Sequence, residues 1–200
     1  MSNKIGKKNQ VSKAGFNPQN RVIFAFFLIV IGILSRTVLH IGNNVEFVTT
    51  ASLLSGSFLG LGWGIFVPLV IMAVSDLVIG NTLIYIFTWS AYLLIGFIGF
   101  FFLRGKENTV NKIIKATFMG IISSIIFFLW TNFGVWVLDS FSMYPDSLSG
   151  LMDSYIMGIP FFKANLLGNL FFVPVSFLIF PRLFSFNFKK SILNKIIAIN

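Results

Sequence analysis

Asn132 and Trp136 stand four residues apart, as do Asn165 and Asn169, and Lys163 precedes the second pair. On a helix that spacing puts both members of a pair on one face. Amides donate and accept hydrogen bonds at fixed angles, and an indole offers a flat apolar wall. Small-molecule pockets combine such apolar lining with a few convergent polar groups. Arg36, with His40 a helical turn beyond it, Asp76, and Asp139 on the Asn132 face add ionisable groups. All of them lie inside or at the rim of strongly apolar runs, where polar side chains are expensive and so are candidates for function. Arg36, His40 and Lys163 hint at an anionic group on the solute, and the aromatics at a flat ring.

The same residues also suit a purely structural role. Asn132, Asn165 and Asn169 can hydrogen-bond between helices, and Trp130, Trp136 and Tyr144 can form an aromatic belt at headgroup level. Arg36 and Asp76 can pair to fix helix register, and Lys163 can snorkel to the interface. Membership of one region, rather than any single residue, is what raises a solute pocket above these alternatives.

Other chemistries are poorly served. The chain has no cysteine and one histidine, which excludes disulfides, thiolate chemistry and a His-rich metal cluster. No H-E-x-x-H or G-x-S-x-G motif occurs, and no paired acid–base constellation appears, so an enzyme is not expected. In "GFFFLRGKE" the glycines Gly99 and Gly105 are one residue too far apart for a phosphate loop, and Glu107 stands where Ser or Thr would bind magnesium. Any ATP-driven task therefore needs a partner, and no cofactor or metal is expected.

The elements that position these residues follow from composition. Of 200 residues 56% are hydrophobic and only 10% charged, with a mean hydropathy of +0.88. Soluble domains carry about 25% charged residues, so the solvent for this chain is lipid. Runs of about 20 apolar residues cross a bilayer, and spans are expected near 22–39, 47–61, 63–80, 82–103, 113–138 and 160–180. The first lacks a cleavage site and reads as a retained span.

With six spans and a cytoplasmic N-terminus, 13 of the 15 bases fall inside beside one acid, Glu107. Glu46, Asp76, Asp139, Asp146 and Asp153 fall on or near the outside, beside only Arg36 and Lys163. This is the positive-inside pattern, and it accounts for the net charge of +9 without nucleic acid. Five spans would put the basic C-tail outside. The expected organisation is a basic, disordered tail over 1–20, a six-helix transmembrane domain over 21–183, and a basic tail over 184–200. In that last tail Ile192, Leu193, Ile196 and Ile197 share one helical face, as in an interfacial helix. Ser52, Gly56 and Gly60, and again Gly120 and Ser124, recur every four residues and permit close helix approach, within one chain rather than between copies. Pro68 and Pro174 permit kinks inside their spans.

A resemblance covers about half the chain. "TNFGVW" (131–136) with "YPDSLSGLMDSYIMGIPFFKANLLGNLFF" (144–172) resembles the C-terminal signature of a family of small bacterial membrane proteins. That family is grouped with the substrate-binding S components of energy-coupling factor (ECF) transporters. "VPLVIMAVSDLVIG" (67–80) is similar to its third span, with Ser75–Asp76–Leu77 and Gly80, and "NNVEFVTTASLLSGSFLG" (43–60) to its second, without the usual prolines. The resemblance implies an all-α S-component-like bundle, multi-pass in the bacterial cytoplasmic membrane. It implies a small vitamin- or metabolite-type solute bound near the outer face, and transport powered by a transmembrane T subunit and two ATPases. One pattern departs: S components dock their T subunit through Ala-x-x-x-Ala on the first span, and here Ala25 is followed four residues later by Ile29. The expected substrate-binding set is Asn132, Trp136, Asn165, Asn169, Lys163, Asp76 and Arg36. The competing expectation is a structural or assembly membrane protein whose polar residues only hold helices together.

Overall fold

In lipid every backbone N–H and C=O must be satisfied within the chain, and the apolar runs do so as helices. The computed structural model describes residues 18–39, 42, 44–80, 82–138 and 143–185, and these contain helices and no strand. The helices are α1 (Pro18–Thr37), α2 (Val48–Leu54, continued by a π-helical turn, Ser55–Leu59), α3 (Leu61–Ile79), α4 (Tyr85–Leu103), α5 (Thr109–Leu138) and α6 (Leu148–Ser185). The expected tails, His40 and Asp139 lie wholly or mostly outside the described residues.

Local chemistry sets the helix ends. Pro18 opens α1, where its missing N–H costs nothing. Gly60 (φ 104°) and Gly80 (φ 74°) bracket α3 in backbone conformations that side-chain-bearing residues resist. Asn108 Oδ1 accepts from the Asn111 N–H at 2.8 Å to cap α5, and Ser147 Oγ accepts from the Gly150 N–H at 3.2 Å to cap α6. Helices α3 and α6 run through their prolines, Pro68 in the first and Pro160, Pro174 and Pro181 in the second.

Among the described residues five helices, α1 and α3 to α6, are long and apolar enough to cross a membrane, and the chain is a multi-pass membrane protein. Their outward faces are greasy: Leu77, Phe26, Leu167, Phe101 and Ile114 are all largely exposed. The second expected span differs. Its helical part is only Val48–Leu59, about 18 Å at 1.5 Å per residue, against a hydrocarbon core of about 30 Å. The last two helices are longer than expected, with α6 reaching about 57 Å.

Helix α2 is the centre of the bundle. Every residue from Val48 to Leu59 except Phe58 is buried, and α1, α3, α4, α5 and α6 all pack against α2 or its neighbours in a ring. A helix buried all round is surprising in one so rich in hydroxyls. Ser52 donates to the Val48 carbonyl (2.8 Å), Ser55 to that of Ser52 (3.1 Å), and Ser57 to that of Leu103 on α4 (2.8 Å). The close fit is made by glycine. A Cβ on Gly96 of α4 would fall on the Gly64 carbonyl of α3. One on Gly64 would stand 3.0 Å from the Gly56 Cα, and one on Gly99 2.6 Å from the Leu53 carbonyl. The small-residue spacing in α2 thus serves packing inside the chain. Gly120 likewise packs against Val173 of α6.

Two ends can be named from contacts. At the base, Asn20 Nδ2 donates to the Phe184 carbonyl at 3.0 Å, so α1 begins where α6 finishes. Phe24 and Phe27 pack there edge-on against Phe180 and tilted against Phe184. At the crown, residues 44–47 form a short strap that turns back into the bundle, with the Phe47 N–H bonded to Ser35 Oγ at 3.1 Å.

Gly96→Ala places a methyl group against rigid backbone and is expected to lower stability by about 1–3 kcal/mol. Gly62→Ala, where a Cβ meets nothing within 4 Å, is expected to be neutral or stabilising by up to about 1 kcal/mol. Thermal unfolding of both variants in one detergent checks the contrast.

Candidate functional site

Ionisable side chains gather at the crown. Arg36, in the last turn of α1, donates through Nη1 to Asp76 Oδ1 at 2.8 Å, to Met72 Sδ at 3.1 Å and to Ser75 Oγ, all on α3. Its Nε lies 3.2 Å from Glu46 Oε2 on the strap. That contact is an ion pair without the alignment of a hydrogen bond, since no acceptor lies in line with Nε. Helix α4 supplies two more donors: Trp89 Nε1 to Asp76 Oδ2 at 2.7 Å, and the Tyr92 hydroxyl to Glu46 Oε2 at 3.3 Å. The Arg36 and Asp76 side chains are 9% and 8% exposed and Glu46 is 21% exposed. One guanidinium therefore faces two carboxylates in a setting that penalises unbalanced charge.

The amides form a second set beside the first. Asn165 Nδ2 donates to the Asn44 carbonyl at 3.3 Å. Asn169 Nδ2 donates to Asn165 Oδ1 at 3.0 Å and to Ser124 Oγ of α5 at 2.8 Å, while its buried Oδ1 finds no partner. Asn165, Ser124, Asn132 and Asn44 border one cavity with Phe127, Phe128 and Phe162. Its volume is about 20 Å³, room for about one water. Residues 44–47 join the two sets. Asn44, held at φ 61°, where Asn is tolerated better than most residues, offers its carbonyl to Asn165. Val45 lies over Gly168, Glu46 meets Arg36, and Phe47 meets Ser35.

The expected site residues therefore divide. Arg36 and Asp76 come together in the ionic cluster. Asn165 and Asn169 form the amide pair, and Asn132 borders the same cavity as Asn165. Asn132 otherwise bonds within its own helix, to the Phe128 carbonyl at 2.8 Å, and lies against Gly158 of α6. Trp136 does not border the cavity; its Nε1 donates to the Pro145 carbonyl at 3.2 Å, tying the end of α5 to the turn before α6. Lys163 stands exposed on α6, away from both sets. Trp130 is also exposed and bonds Ser90 across to α4 at 2.8 Å.

Sequence reasoning missed Glu46, Trp89, Tyr92 and Ser75 as members of the site. Ser75 neighbours Asp76 and was within reach of pattern reading. Trp89 and Tyr92 join only because α4 packs beside α3, which no spacing in the chain announces. Among the described residues no group of three His, Cys, Asp or Glu side chains could hold a metal ion.

Arg36→Ala leaves two carboxylates buried without their cation and is expected to cost about 3–5 kcal/mol of stability. Trp89→Phe removes one hydrogen bond to a charged group, an expected loss of about 1.5–3 kcal/mol. Thermal melts of both variants, with Asp76→Asn combined with each, show whether the effects couple as members of one network.

No curated protein and no solved structure matches the chain. A family model matches residues 16–190, the helical bundle as a whole, and the chain belongs to that family, the family of unknown function DUF6580.

Proposed function

We propose that this protein captures a small vitamin- or metabolite-type solute at the crown, as an S-component-like subunit of an ECF-type uptake system. Transport is powered by a partner T subunit and ATPases, and the chain itself performs no catalysis. The observation that carries this reading is the Arg36–Glu46–Asp76 cluster. An ion pair that only fixed helix register would need one acid. The second acid, Glu46, sits on the strap rather than on a helix, and it leaves the cluster with more negative than positive charge. Such a site favours a solute bearing a cationic or hydrogen-bond-donating group, in place of the anionic group expected from Arg36, His40 and Lys163, because Arg36 is already engaged by carboxylates. The amide-lined cavity holds about one water, so solute entry requires the strap to lift or α6 to part from α5.

The reading takes the chain through the bacterial cytoplasmic membrane six times with both ends inside. The strap and α2 together make the second passage, from the Ser35 end to the Leu103 end. The meeting of Asn20 with Phe184 supports it, as does the gathering of Arg104, Lys106, Lys112, Lys115 and Arg182 toward the base.

A structural or assembly role is the second reading, favoured by one observation. Asn169 bonds Ser124 across to α5, and Asn165 bonds the Asn44 carbonyl of the strap, as interhelix glue would.

Native mass spectrometry of the purified protein separates the two. Solute capture predicts a reproducible small molecule retained by the parent and lost from Glu46→Gln, with the variant melting near the parent. Proteoliposomes holding only this chain should bind that molecule without concentrating it. A parent that retains nothing, with Glu46→Gln lowering only the melting temperature, favours the structural reading. Reporter fusions give a separate check on topology: those after Lys8, within 104–112 and after Asn200 should score cytoplasmic, and those near Asn43 and Asp146 external. An external C-terminal reporter would refute six passages.

A further inference from the structure

At the base, far from the ionic cluster, a cavity of about 220 Å³ opens between the π-helical turn, the start of α5 and the end of α6. Phe58, Phe177 and Pro181 wall it, and Lys112 and Arg182 line it with them. The Lys112 ammonium sits 4.5 Å from the centre of the Phe58 ring and donates to the Gly105 carbonyl at 3.2 Å. An ammonium has three donors, so this bond leaves it capacity for an anion. Arg182 presents a planar fork of five donors, a shape that matches phosphate oxygens, and one of its nitrogens bonds the Leu178 carbonyl of its own helix. Glu107 also borders the cavity, but it is ion-paired with Lys115 at 2.9 Å. Positive charge therefore prevails in and around the cavity.

Position identifies the anion. Thr109, the first residue of α5, borders the cavity, and Arg182 lies in the last turn of α6. Two helices long and apolar enough to cross a membrane end here, where the topology proposed above, on which this inference rests, places the cytoplasmic headgroups. Beside the cavity Leu178, Ile179 and Leu183 are exposed on α6, an apolar track suited to acyl chains. Basic pockets between transmembrane helices on the cytoplasmic side hold anionic headgroups. We infer that this cavity binds the phosphate of an anionic phospholipid between Lys112 and Arg182, with the acyl chains along α6. The site is independent of any solute bound at the crown.

The test titrates the purified full chain in detergent with phosphatidylglycerol, phosphatidylcholine or inorganic phosphate, following the melting temperature. Phosphatidylglycerol should raise it saturably, and the other two should not at equal concentration. In Lys112→Gln/Arg182→Gln the half-saturating concentration should rise at least about tenfold, the scale of a lost bond to a charged group. Lys106→Gln removes one basic charge from the loop just before α5 without lining the cavity and should stay within about twofold. An equal loss in Lys106→Gln would mean diffuse attraction and overturn the site. Equal stabilisation by phosphatidylcholine or by free phosphate would overturn the anionic-lipid assignment. Should the double variant not fold, native mass spectrometry of the parent in an equimolar lipid mixture still decides. Preferential retention of phosphatidylglycerol supports the site, and equal retention of both lipids sinks it.

Discussion

Backbone contact at Gly56, Gly64 and Gly96 is the constraint on which the bundle depends. Lipid tails are as apolar as leucine, so helices in a membrane gain little by hiding grease from one another. They gain by approaching closely, through dispersion contacts that fall off within an ångström. At these glycines α3 and α4 come near enough to α2 that no side chain fits between them. That closeness brings the Ser57 hydroxyl to the Leu103 carbonyl. It also carries the outer turns of α3 and α4 to the places where Asp76 and Trp89 meet. The ionic cluster is thus a product of glycine packing lower in the same helices.

The strap couples the two polar sets through consecutive residues. Asn44 answers to α6, Glu46 to α1 and α4, and Phe47 to α1 and, through its ring, to Phe172 and Phe180 of α6. A displacement that freed Glu46 from Arg36 would pull directly on the Asn44–Asn165 bond. A movement at one set therefore reaches the other through a few covalent bonds, with no long chain of packed side chains in between.

Much of this was legible beforehand. Apolar runs separated by turn residues located the long helices, because lipid enforces that pattern strictly, whereas the caps Asn108 and Ser147 start α5 and α6 ahead of the expected 113 and 160. Arg36 and Asp76 could be matched as opposite charges in similar membrane depth. Residues 47–61 are apolar enough to pass for a span, though at about 22 Å a short one, and their burial on nearly every side could not be read. What distinguishes them is the close packing of Gly56 against α3 and α4, a tertiary fact. The pairs at i, i+4 were sound as geometry: Asn165 and Asn169 bond each other, while the other pair divides. Trp136 shares a face with Asn132, yet one further turn along α5 takes it beyond the cavity to Pro145. Lys163 precedes Asn165 by two residues, and that offset alone turns it to the opposite side of α6.

The length of α6 has a mechanical meaning. From Pro160 to its start at Leu148 the helix forms an arm of about 18 Å, joined to α5 through the Gly158 contact with Asn132 and through Ser154 and Tyr155. Pro160 removes one backbone hydrogen bond at the root of that arm, where bending is easiest. A bend of about 10° there would carry the tip through about 3 Å, about the length of a hydrogen bond. The α5–α6 hairpin thus sets this point of easy bending beside the Gly158 and Phe161 lining of the amide cavity, so that a rearrangement among the asparagines and a tilt of the arm would share one pivot.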